Sequence, residues 1–231
     1  MRALLLLVPA GLGAFLACSS EKVTYVDEPI DDAGVADVAP SDSSLVQLSF
    51  RPARAYSGFD GTHAFEVPVA VYNAGEDVTV TADDPATADV KPATLANPAG
   101  DTGAYFLVTA KKAGTIALTA RSAGRTAAST ITVTEYPADR WATGETRYKN
   151  GAGGDPPCTD CHAGASGVDH SPAALATITD DKVKVTITTG VSPFGSPILV
   201  NGQPGHKWTA TEAELDGLVT YLRALAPKGF Q

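Results

Sequence analysis

Once a short apolar leader is set aside, a chain of 231 residues has room for one large domain or two small ones. Its 44% hydrophobic and 19% charged residues are ordinary for a globular protein. A formal net charge of −9 makes nucleic acid an unfavourable partner.

The first element is residues 1–18. Arg2 precedes an apolar run at 4–8, and small residues lead to Ala17, the organisation of a secretory signal peptide too short to span a bilayer well. The ending Phe15-Leu16-Ala17-Cys18 resembles a bacterial lipoprotein signal, which implies that Cys18 becomes the lipidated first residue of an exported, membrane-anchored protein. Residues 19–44 follow, with Glu21, Asp27, Glu28, Asp31, Asp32, Asp37 and Asp42 against Lys22 alone. With Pro29, Pro40 and no periodic apolar face, they are expected to form a disordered acidic tether.

From residue 45 to 136 short alternating segments are separated by turn residues. Phe65, Val67, Val69 and Val71 share one strand face; Val78 to Val80 follow, then Tyr105 to Val108, Ile116 with Leu118, and Ile131 with Val133. Gly58, Gly61, Asn73-Ala74-Gly75, Asp83-Asp84-Pro85, Asn97-Pro98 and Gly114 punctuate them. About seven strands at this spacing predict an all-β two-sheet sandwich. Residues 84–90 (Asp-Pro-Ala-Thr-Ala-Asp-Val) and 112–120 (Lys-Ala-Gly-Thr-Ile-Ala-Leu-Thr-Ala) resemble the bacterial Ig-like domain, group 2. The Trp which that family often carries before its Asp-Pro pair is Val80 here. The resemblance implies a spacer on an exported protein. His63 with Tyr56, Phe59 and Phe65 would mark a binding loop on another reading, with core or turn packing favoured.

Cys158-Thr159-Asp160-Cys161-His162 is the attachment signature of c-type haem. Two thiols one helical turn apart can each form a thioether with a haem vinyl group, and the His after the second Cys lies under the ring as proximal iron ligand. The third cysteine, Cys18, closes the leader, so no pair is expected for a disulfide. Downstream, Ser171-Pro172 suits an N-cap and first helical position. At 180–189, Val183, Val185 and Ile187 alternate as in a strand. The last element is an amphipathic helix over 211–225, with a Thr211-x-x-Glu214 capping box, a stripe of Leu215, Leu218, Val219, Leu222 and Leu225, and Pro227 and Gly229 as the stop.

With the haem signature, residues 138–228 resemble a class I cytochrome c, a small mainly α fold. The resemblance implies that Gly144 and Tyr148 on a first helix cross the last helix at Leu218 and Tyr221, the Gly permitting close approach. It implies a helix over 180–189 rather than the strand. Residues 150–157 depart from the family as an inserted loop, and the crossing is kept if that loop bulges outward. In the family a Pro carbonyl accepts the proximal imidazole's hydrogen bond, and Pro172 is the candidate. Trp208 is expected as core or haem-pocket wall, its indole N–H within reach of a propionate.

Class I cytochromes usually add a Met thioether from the loop before the last helix, but the only Met is Met1, so Met ligation is excluded by counting. His206 stands just before the closing helix and is the favoured distal ligand, ahead of His170, Lys207 or an open site. The expectation is therefore a multidomain, exported protein: an Ig-like sandwich followed by a cytochrome c fold with one covalent haem c, iron held by His162 and His206. It would carry single electrons between redox partner proteins on the periplasmic side of a membrane or at the cell surface, without enzymatic chemistry. Two alternatives stand beside it, a haem enzyme or gas sensor with an open distal face, and a zinc or dithiol module using Cys158 and Cys161.

Overall fold

The computed structural model describes residues 47–95, 100–162, 169–200, 203–205 and 207–229; the expectations for the leader, Cys18, the acidic tether and His206 fall outside these residues. Alternating apolar residues between turns build eight strands: β1 (Ser49–Arg51), β2 (Arg54–Phe59), β3 (Glu66–Tyr72), β4 (Thr79–Ala82), β5 (Ala88–Pro92), β6 (Ala104–Ala110), β7 (Gly114–Ser122) and β8 (Arg125–Glu135). They form two four-stranded sheets, ordered β1-β3-β6-β5 and β2-β8-β7-β4. Neighbours are antiparallel except β2 and β8, which run parallel in the register Arg54↔Thr130 to Phe59↔Glu135. Val67, Val69, Val71, Phe106 and Val108 of one sheet share a buried core with Ile116, Leu118, Ile131 and Val133 of the other. Each such side chain contributes on the order of 2 kcal/mol by leaving water.

The expected sandwich is present, with eight strands rather than about seven. β1 and β2 flank Pro52 and lack a clean alternation, which hid them from a period-2 reading. One placement differs from expectation: Phe65 lies just before β3, fully buried, and joins a second core made by the helices rather than the core of Val67 and Val69.

That second layer contains α1 (Arg140–Asn150), α2 (Thr159–His162), α3 (Pro172–Leu175), α4 (Asp180–Thr189), a short hairpin of β9 (Leu199–Val200) and β10 (Gln203–Pro204), and α5 (Glu212–Arg223). The expected capping box starts α5: Thr211 Oγ1 accepts the Glu214 amide at 3.3 Å, and Glu214 Oε2 accepts the Thr211 amide at 2.7 Å. Residues 180–189 are helical despite their β-branched alternation. Thr179 caps α4 by accepting the Lys182 amide, Asp180 and Asp181 sit in its first turn, and Gly190 ends it at φ 70°. Val183 and Ile187, four apart, are its buried residues, while Val185 is left exposed.

α1 and α5 cross in direct backbone contact. A Cβ on Gly144 would lie 1.8 Å from Gly217 O, and one on Gly217 would lie 2.7 Å from Gly144 N. Gly144 stands at the expected crossing, and its counterpart is Gly217, a gap beside the apolar stripe of α5 that the stripe itself does not mark. One turn further along, Tyr148 and Tyr221 pack with ring centroids 5.2 Å apart.

Candidate functional site

Cys158, Cys161 and His162 occupy one turn. The Cys161 and His162 amides both donate to Cys158 O, at 3.2 and 3.0 Å, after Pro157 O has accepted the Asp160 amide. This turn opens α2 and sets the two cysteine positions three residues apart on one side, with the imidazole next to the second. Cys158 is 7% exposed and belongs to the helical core with Tyr148, Val183, Ile187, Leu215 and Leu222. Burial pushes its thiol up to about 12, so in this arrangement it is a protonated thiol rather than a thiolate. Cys161 is disulfide-bonded. This corrects the expectation that no pair is left for a disulfide.

His170 is brought onto the motif. Its ring stacks on His162 at 3.7 Å between centroids, and Tyr148 meets its edge at 6.4 Å. Pro172 is the first residue of α3, buried, with Ser171 as N-cap, as expected from the Ser-Pro pair. Asp169 fixes the approach to this helix by accepting the Ser171 amide at 2.8 Å and its hydroxyl at 2.7 Å. Trp208 packs against the helical core, its amide donating to Ile187 O at 3.2 Å. His206 lies outside the described residues, so the pairing of His162 with His206 has no geometry here.

The loop 150–157 does not simply bulge outward. Arg147, 2% exposed, crosses from α1 to Asp155 Oδ2 at 2.7 Å and also donates to Ala152 O at 3.2 Å. Asp155 Oδ2 accepts the Thr209 amide at 3.0 Å, and the Arg147 guanidinium lies 5.4 Å from the centre of the Trp208 ring. The approach to the Cys-x-x-Cys-His turn is thereby latched to the entry of α5. A sequence pattern gives no sign of it, since an Arg on a polar helix face looks solvated until the loop folds back.

The donor chemistry fits a covalent haem: paired cysteines and an imidazole on one turn, backed by an apolar core. The stacked His162 and His170 rings must part to admit a porphyrin on the face they share. Among the described residues no three His, Cys, Asp or Glu side chains are grouped as a metal site. No helix of the described residues is long and apolar enough to cross a membrane.

No protein-family model and no curated protein matches the chain. Among solved structures, domains 4 and 5 of the S-layer protein SbsC align at 16% identity over 38% of this chain and 44% of theirs, with a TM-score of 0.28. A longer SbsC structure aligns at 17% identity over 38% of this chain and 12% of its own, again with a TM-score of 0.28. The chain therefore covers less than half of either structure, and overlaps this slight carry no argument.

Proposed function

We propose that the chain is an exported, lipid-anchored c-type cytochrome that carries single electrons through one covalently attached haem. The observation that carries this reading is the single turn holding Cys158, Cys161 and His162 at the edge of an apolar helical core. The close crossing of α1 and α5 at Gly144, with Tyr148 on Tyr221, supports it, because this is the helix pair that a class I cytochrome c fold implies.

In this proposal Cys158 and Cys161 hold the ring, His162 is the proximal ligand and His206 the distal one. Pro172 and Trp208 are the candidates for orienting the proximal imidazole and walling the pocket. A haem so held supplies a one-electron iron couple, at lower potential with two imidazoles than with a thioether ligand. The chain's own residues need only bind, exclude water and fix the imidazoles; no proton-transfer group is required. A thioether and a disulfide at Cys161 are mutually exclusive, so the disulfide belongs to a haem-free state. Lipidation of Cys18 would place the protein on the periplasmic side of a membrane or at the cell surface, where redox partner proteins are its clients.

Expression in a host that attaches haem c, followed by spectra of the reduced protein, tests the ligand set. The wild type is expected to be low-spin and to resist carbon monoxide, and His206→Ala to become high-spin and bind it. Tight carbon monoxide binding by the wild type would replace the carrier with an open-site haem protein.

A further inference from the structure

The sandwich and the helical layer exchange side chains. Phe65 and Tyr136, at the ends of strands, lie in the helical core, while Ala176, 1% exposed, lies in the sandwich core. Gly58 on β2 makes room for the two rings, since a Cβ there would fall 2.2 Å from Tyr136 Cε2 and 2.7 Å from Phe65 Cε1. β2 is an edge strand, and its Tyr56 amide donates to Ala176 O at 2.8 Å.

Arg223, the last residue of α5, is 1% exposed at the centre of this junction. Nη1 donates to Leu175 O at 2.7 Å and to Tyr56 O at 3.2 Å. Nη2 donates to Ile178 O and, at 3.0 Å, to Asp180 Oδ1, which also accepts from Nε at 3.2 Å. Asp180 Oδ2 accepts the Tyr136 hydroxyl at 2.8 Å. Only a guanidinium supplies this many donors in a fixed fork. Without it, the Leu175, Tyr56 and Ile178 carbonyls and Asp180 Oδ1 would each lose a charged donor at once, with the Ile178 amide left on Leu175 O and the Tyr136 hydroxyl on Asp180 Oδ2.

Most of these bonds land on one stretch, residues 175–180, continuous through α3 and Ser171 with His170, which stacks on His162 at 3.7 Å. We propose that the β sandwich is a positioning element for residues 169–180, the segment following the Cys-x-x-Cys-His turn, and that Arg223 is the positioning residue that fastens it there. The sandwich is then a part of the site's framework rather than a spacer. The effect on a bound haem rests on the reading under Proposed function; the placement of the segment does not.

Amide hydrogen exchange on the whole chain tests this, comparing wild type, Arg223→Met, Arg223→Lys and Tyr136→Phe. Exchange across 171–180 is expected to rise roughly tenfold or more in Arg223→Met, and by less in the other two variants, while β3 and β6 keep their protection. Should Arg223→Met not fold, Tyr136→Phe, which loses one hydroxyl and keeps its ring, decides by the same criterion. Unchanged exchange in 171–180, or an equal rise across β6, α1 and 171–180, would overturn the proposal. In haem-loaded protein the same variants are expected to shift the midpoint potential, and an unmoved potential beside raised exchange would remove the haem consequence. Protein that takes up no haem would defeat the functional reading and leave the exchange result standing.

Discussion

Gly144 and Gly217 show what a single hydrogen in place of a methyl group can decide. Each backbone occupies the volume where the other's Cβ would stand, so the α1–α5 crossing exists only because both residues are Gly. Gly217→Ala would set a Cβ 2.7 Å from Gly144 N and 2.9 Å from Arg140 O, both backbone atoms that no side-chain rotation can move. The helices must part, and a loss of about 3 kcal/mol is expected in urea unfolding. A loss below roughly 0.5 kcal/mol, the range of an ordinary surface substitution, would contradict the close crossing. Arg147 makes a related point with charge: a cation 2% exposed is tolerated because Asp155, a carbonyl and the Trp208 face all meet it.

Among the elements, β7, β8 and α5 were legible because their apolar residues keep one period and their ends carry turn or cap residues, and β6 because Tyr105 to Val108 form one apolar run. α4 was harder, since Val183, Val185 and Ile187 read as a strand in isolation. What decides for helix is the boundary chemistry: Thr179 and two Asp at the start, Gly190 in the left-handed region at the end. β2 and the Arg147–Asp155 latch were not legible, because they depend on partners 76 and 8 residues away in the chain, as in Arg54↔Thr130 and Arg147 with Asp155. Carboxylates also hold several turns by accepting backbone amides: Asp77 from Ala123, Asp84 from Ala86, Asp101 from Gly103 and Glu214 from Thr211. These bonds hold all four carboxyls below their ordinary values. Their folded pKa values being the lower ones, the stability they lend is complete above the ordinary carboxylate range near pH 4 and is lost as pH falls through the folded values. The urea midpoint is therefore expected to drop between about pH 5 and pH 3. A flat midpoint over that range would contradict these caps.

For the whole molecule, the two-layer division was readable from the change of period after residue 136, and the Cys-x-x-Cys-His turn from its spacing alone. The joining of the layers was not. Arg223 reads as a helix-end cation, favourable to the macrodipole and solvated, until Asp180, Tyr56 and two further carbonyls converge on it. His170 likewise became a neighbour of His162 only through the placement of α3. Under the function we propose, the haem segment of an exported electron carrier is held against a β framework. That function stands on covalent haem at Cys158 and Cys161, and intact mass spectrometry of mature protein from a haem-attaching host tests it most directly. The expected mass is raised by one haem, survives denaturation and falls back in the Cys158→Ser, Cys161→Ser double variant. Mature protein with no added haem mass, both thiols unmodified or Cys161 still in a disulfide, would contradict it.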